Sequence, residues 1–364
     1  MGGKSSKKAD VSINDYSKVK IPKDYLLIKI GSYNVNLRNT INLDMKIKDI
    51  ISYITSNHKN KVLDIINLQG IYDSSSLLVL IKECKKFFGE NEMKIFFAPQ
   101  FDNIESNGLI SSKQMLDLSF HSSGSNSANS SKHTHTKKKL IQNIIISRYP
   151  ILSTIYAELD DHTDMDDILG IQTVIGANIL IGNNIISVYN TTLSKDIKSA
   201  NIMNHDVRKT ELDSMINVIS ENKQSMENLK FKQYTKSDVH LICGTLNIDE
   251  AESGNINHEY IDLLKFRKCI DIFRYLNEKD NGYTTSYMER INYILLNLTN
   301  DIFDNTTKVH AEFQKVKTKE QLFDLILNRY NIYFLDYYTI KNDKANILIY
   351  YPIECIFIIK TKCS

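Results

Sequence analysis

Apolar and polar positions along this chain alternate between two periods, and the switches mark its elements. Tyr25 to Val35 is β-rich and apolar enough for a buried strand, while Met45, Ile47, Ile50, Ile51 and Ile54 recur at helical spacing between Asp44 and His58. Val62 to Leu68 returns to strand character. Ser74 to Phe88 then reads as a helix with serines at its start and Leu77, Leu78, Leu80, Ile81 and Cys84 on one face. Met93 to Ala98 is the next strand, so the order is the β-α-β rhythm of a layered α/β domain.

The pattern stops between 102 and 139, most clearly from Ser122 to Lys139, where Ser, Asn, His and Lys leave almost nothing to bury. Such a composition cannot repay its ordering entropy, so a disordered surface insertion is expected. Strands resume at Leu140 to Ser147, in a run from Ile168 to Ile181, and at Asn184 to Asn190, with Gly182, Asn183 and Asn184 supplying a hairpin turn. Ser199 to Ser220 is predicted as a long helix, Val239 to Cys243 and Ile291 to Leu296 as strands, and Tyr260 to Leu276 as partly helical. Residues 299 to 331 read as a helical insertion, and Ile332 to Tyr338 and Ile347 to Ile359 as closing strands. Residues 1 to 24 are polar and lysine-rich, a mobile arm by pattern.

Composition adds limits. The chain has 364 residues, 42% of them apolar, which is ample for one large domain. A net charge of +2 provides no global field directed at nucleic acid, which is therefore not an expected partner. Cys84, Cys243, Cys269, Cys355 and Cys363 are odd in number and lack CxxC spacing, so reduced buried thiols in an intracellular protein are expected. The N-terminus has no apolar secretory segment. The apolar run from Ala345 to Ile359 contains Pro352 and Glu354 and falls short of the roughly 20 residues that span a bilayer. Richness in Ile, Asn, Lys and Tyr is the bias of an AT-rich genome, such as that of a giant virus or a protozoan.

Short segments in a fixed order carry a resemblance: Gly31-Ser-Tyr-Asn-Val-Asn36, Asp64-Ile-Ile-Asn-Leu-Gln-Gly70, Ser147-Arg-Tyr-Pro-Ile151, Val188-Tyr-Asn-Thr-Thr-Leu193, Leu241-Ile-Cys-Gly-Thr-Leu-Asn247, Arg290-Ile-Asn-Tyr-Ile294 and Tyr350-Tyr-Pro-Ile-Glu354. Together they resemble the endonuclease/exonuclease/phosphatase (DNase I-like) superfamily in degenerate form. The resemblance implies a four-layer α/β sandwich: two mixed β-sheets face to face, helices outside, and the site at one end.

It also implies a job for each position. Asn34 keeps the Asn near metal and phosphate. Gly70 stands where a metal-binding Glu is usual. Asn190 is retained in its segment, but Thr192 replaces the His that contacts phosphate. Thr245 replaces the Asp that orients the attacking water, and Asn247 survives beside it. Asn292 replaces an Asp, and Ile349 and Tyr350 replace the final Asp-His pair. Active members hold a divalent cation with carboxylates and stabilise transition-state charge with it. Losing one acid-base group typically costs about 10²- to 10⁴-fold, and hard Mg²⁺ needs charged oxygen ligands.

The expectation is therefore a chain that is not an enzyme, has no cofactor because the Mg²⁺ site is lost, and serves as a binding or structural module. Its pocket of Asn34, Asn190, Asn247 and Asn292 would accept a phosphorylated ligand. The alternatives are a rewired metal-dependent phosphodiesterase or phosphatase drawing a ligand from the Asp160 to Asp167 cluster, and a virion or assembly scaffold recruiting partners through residues 102 to 139. His133 and His135 read as a solvated loop. Finally, Gly2 begins a myristoylation pattern, Met1-Gly2-Gly3-Lys4-Ser5-Ser6, followed by Lys7 and Lys8. One acyl chain plus a basic patch would tether the chain to an anionic membrane surface.

Overall fold

The computed structural model describes residues 23–37, 42–56, 63–72, 74–88, 94–97, 142–159, 172–196, 204–228, 235–252, 255–265, 269–277, 280–297, 332–339 and 350–361, with a few single positions besides. The arm with Gly2, the 102 to 139 insertion, the Asp160 to Asp167 cluster, Ile349 and nearly all of the 299 to 331 segment lie outside the described residues.

Two six-stranded sheets form the frame. The first, in spatial order, joins β13 (Ile332–Thr339), β14 (Ile353–Lys360), β1 (Tyr25–Asn34), β2 (Ile65–Ile71), β4 (Gln142–Ser147) and β3 (Lys94–Phe97). The second joins β11 (Cys269–Asp271), β12 (Asn292–Asn297), β8 (Thr235–Thr245), β7 (Asn184–Thr192), β6 (Thr173–Ile181) and β5 (Ile151–Glu158). A small pair, β9 (Ala251–Glu252) and β10 (Asn255–Ile256), follows β8. The pairings β1 with β2 and β7 with β8 are parallel, and the neighbours around them are antiparallel.

Helices cover the outer faces. Next to the first sheet lie α1 (Leu43–Ser56) and α2 (Ser74–Phe88); next to the second lie α3 (His205–Asn228) and α4 (His258–Lys265). A short α5 (Ile272–Leu276) is capped by the Asp271 side chain, which accepts from the Arg274 backbone N–H. The layering follows from strands that are apolar on both faces, the habit of sheets buried on both sides. In β2, Ile65 points into the cluster between the sheets, whereas Ile66 and Leu68 point at α1 and α2. In β4, Ile145 points inward and Ile144 and Ile146 outward. Leu212, Met215 and Ile219 of α3 pack on Tyr189, Ile242 and Tyr293 of the second sheet.

The pattern-based elements are largely recovered, with three differences. β5 has a half-buried face at the sheet edge and carries no continuous apolar run. β11 sits inside the stretch read as partly helical, pairing with β12 through Cys269–Asp271. α3 begins at His205 and extends to Asn228, later at both ends than the apolar spacing indicates. Cys84, Cys243, Cys269 and Cys355 are free and buried, and burial raises the Cys84 and Cys269 thiols to about 12. Among the described residues no helix is long and apolar enough to cross a membrane.

Candidate functional site

The parallel strands deliver their C-terminal ends to one edge of the sandwich, the place where open α/β sheets receive ligands. β1 ends at Asn34, β2 at Ile71 just after Gly70, β7 at Thr192 and β8 at Thr245. β12 runs antiparallel to β8 and so begins at the same edge, with Asn292 opposite Thr245. Thr192 is opposite Thr245 on the other side. Directly paired residues share a face, so Thr192, Thr245 and Asn292 form one row across three strands. Asn34 joins that row from the other sheet, its Nδ2 donating to Thr245 Oγ1 at 2.9 Å. The Asn34 Oδ1 accepts the Asn36 backbone N–H at 3.1 Å.

The row is buried and incompletely satisfied. Asn292 is 1% exposed, and among the described residues neither its Nδ2 nor its Oδ1 has a partner. Its backbone N–H is held by Thr284 Oγ1, which also accepts from Ile291. Asn247 takes a left-handed φ of 54° and donates from Nδ2 to the Leu193 carbonyl, leaving a buried Oδ1 without a partner. Buried polar groups in folded proteins are nearly always paired, so the orphaned atoms of Asn247 and Asn292 at this edge, like others in Asn67, Gln69, Arg267 and Thr339, require an explanation.

The other predicted positions are placed differently. Asn190 is fully buried two residues back along β7, where its Oδ1 accepts from Gln69 and its Nδ2 donates to the Leu68 and Ile144 carbonyls. It staples one sheet to the other. Thr192 donates to Asn143 Oδ1 at 3.3 Å. Tyr350 bridges to Thr285, and burial, with Glu289 and Tyr287 nearby, raises its hydroxyl above the usual range. Lys195 Nζ lies 5.9 Å from the centre of the Tyr350 ring.

Gly70 is the most informative substitution. Its φ is +76°, and a Cβ there would lie 2.5 Å from Asn34 Oδ1 and 3.0 Å from the Asn36 backbone nitrogen. The left-handed φ and the crowding by Asn34 and Asn36 put any side chain there under strain, so more than a carboxylate is gone. The donors at these expected positions are amide and hydroxyl oxygens, without the carboxylates that ordinarily hold Mg²⁺.

Sequence reasoning did not single out Gln69 or Lys46. Gln69 stands within the quoted Leu-Gln-Gly segment, so its signal was present. Lys46 Nζ donates to the Asn36 carbonyl at 2.9 Å, and burial lowers its pKa. Nothing in the α1 pattern separates it from the exposed Lys48.

A saturated charge cluster adjoins the row. Arg290 forms a two-pronged pair with Asp271, at 2.6 and 2.7 Å, and also reaches Glu250. Burial alone would raise the Asp271 carboxyl, but Arg290, the Tyr260 hydroxyl and the Arg274 N–H outweigh it and hold the group below the usual range. Elsewhere, a cavity of about 330 Å³ opens beside the first turns of α3 and α4. Two of its lining charges are already engaged, Glu259 by Arg208 and Arg267 by Asp213.

Neither a family model nor a curated protein sequence matches the chain. Solved structures do. An endonuclease/exonuclease/phosphatase family protein from Leptotrichia buccalis is 13% identical, with 90% of this chain and 98% of that one covered and a TM-score of 0.51. Humanized D. rerio TDP2 is 13% identical over 91% and 98%, with a TM-score of 0.52. An endonuclease/exonuclease/phosphatase from Bacteroides vulgatus is 10% identical over 91% and 98%, at 0.51.

This likeness corrects the expectation that the chain is not an enzyme. The fold shared over nine-tenths of the chain is that of structures named as endonuclease/exonuclease/phosphatase family proteins, so an expectation of no enzymatic role is not supported. The physical reason is that substitutions at the expected positions report only those positions and leave the rest of the fold untested. The chain has the DNase I-like fold of the endonuclease/exonuclease/phosphatase proteins.

Proposed function

We propose that this chain engages a phosphorylated ligand at the sandwich edge, with the phosphate group seated against Asn34, Thr245 and Asn292. The observation that carries the reading is the Asn292 amide, buried at the edge with both polar atoms unpartnered among the described residues. An unmade buried hydrogen bond costs about 1–3 kcal/mol, a cost that a ligand oxygen accepting from the Nδ2 would remove for that donor. Replacing carboxylates by amides and hydroxyls also removes the repulsion an anion would otherwise meet. On this reading the phosphate charge is met by groups of the chain, without a Mg²⁺ cofactor.

Calorimetric titration with inorganic phosphate, a nucleoside monophosphate and an inositol phosphate tests it. Saturable binding by at least one is expected, and the absence of any heat of binding at millimolar concentration removes the proposal. A second reading, metal-dependent phosphoester hydrolysis with re-sited ligands, is favoured by the fold likeness. Hydrolysis of bis(p-nitrophenyl) phosphate that stops on adding chelator would replace the first reading with the second.

A further inference from the structure

We infer that Lys46 is the resident cation of the phosphate site, carrying from α1 the positive charge that this fold otherwise draws from a bound metal. The inference rests on the phosphate-binding reading above and adds the group that supplies charge.

Three observations converge. Lys46 Nζ donates to the Asn36 carbonyl at 2.9 Å, and the Asn36 N–H donates in turn to Asn34 Oδ1 at 3.1 Å, so the ammonium is tied to the segment that presents Asn34. An ammonium has three N–H donors, and this bond uses one of them. Second, Gly70 stands beside the same segment, with the Asn36 backbone nitrogen 3.0 Å and Asn34 Oδ1 2.5 Å from where its Cβ would be. The position at which the resemblance expects a metal-binding Glu is thus both neutral and strained for any side chain. A carboxylate there would neutralise a neighbouring lysine, and its absence leaves the lysine charge for a ligand.

Third, the remaining donors of the row are amides and hydroxyls, which orient phosphate oxygens without offsetting their charge. Lysine is a compact point charge suited to phosphate. Its partial burial strengthens the interaction relative to an exposed lysine, because screening by water is reduced. Lys48, two residues on and exposed, has the same charge without the contact and serves as the internal control.

The experiment is calorimetry with inorganic phosphate on the full chain, with and without EDTA, for wild type, Lys46→Gln, Lys46→Arg and Lys48→Gln. Wild-type affinity should be indifferent to EDTA. Lys46→Gln should weaken binding roughly tenfold or more, as expected for loss of a charge-assisted hydrogen bond. Lys46→Arg should stay within a few-fold of wild type, which separates charge from packing, and Lys48→Gln should match wild type. Equal affinities for Lys46→Gln and Lys48→Gln overturn the inference while leaving the phosphate site standing. Binding abolished by EDTA also overturns it, in favour of a metal. Failure of wild type to bind phosphate removes both the site and its cation.

Discussion

Asn292 and Arg290 are two residues apart, both buried, both polar, and in opposite condition. Arg290 and Asp271 are each 2% exposed and satisfy one another through two hydrogen bonds, with Tyr260 and the Arg274 N–H completing the carboxylate. Asn292, 1% exposed, satisfies nothing through its side chain among the described residues. A saturated network rigidifies a fold, whereas an orphaned amide in the same environment is a standing cost that a ligand would relieve. The difference separates the scaffold of this edge from the surface proposed to take a ligand more sharply than burial or polarity does.

The comparison breaks most decisively at Asp271. Asp271→Asn leaves Arg290 buried without its counter-charge, and unfolding in urea should show a loss of about 3–5 kcal/mol. The pH dependence follows from the depressed folded-state carboxyl. Its stabilisation is fully present above the unfolded carboxylate value of about 3.9 and is lost as pH falls through the lower folded value. Wild type should therefore lose stability on acidification below about pH 4 more steeply than the variant does. Parallel acid limbs in the two proteins would mean that the pair is not the acid-sensitive element.

Gly70→Ala comes next. A left-handed φ and a Cβ 2.5 Å from Asn34 Oδ1 should together cost about 1–3 kcal/mol. Displacement of Asn34 should also weaken phosphate binding, so thermal melting and calorimetry should move together. Unchanged melting would show that the β2 end relaxes freely.

Asn292→Leu should have the smallest effect on stability. Removing an unsatisfied amide for a side chain of similar size is expected to be neutral or stabilising by up to about 1 kcal/mol, while phosphate affinity should fall at least tenfold. A clear destabilisation with unaltered binding would move Asn292 to the scaffold side of the comparison.

The site was legible only in part, for reasons visible in particular residues. Asn34, Thr245 and Asn292 were marked by the ordered segments; β-sheet registry sets Asn292 opposite Thr245, and a side-chain hydrogen bond from the other sheet joins Asn34 to them. Asn190 carried the same mark, yet its amide is spent on two main-chain carbonyls and Gln69, because its place on β7 faces the opposite sheet. Lys46 carried no mark, since its role depends on how the first turn of α1 meets the Asn36 carbonyl. Among the elements, α2 was read over its full Ser74–Phe88 span because its serines and apolar stripe agree. β11 was absorbed into a helical reading because a three-residue strand is too short to show period two.

What the sequence determined by itself is the layered order of strands and helices, because local apolar periodicity, as in Ile65 and Ile66 of β2, survives without knowledge of neighbours. The two-sheet sandwich was implied by the resemblance of the ordered segments. What only the tertiary structure decided is which polar groups are satisfied. Pairing between Asn190 and Gln69, between Arg290 and Asp271, or between Lys46 and Asn36 joins residues that local periodicity cannot connect. The orphaned amide of Asn292 exists as a feature only once every neighbour has been placed around it.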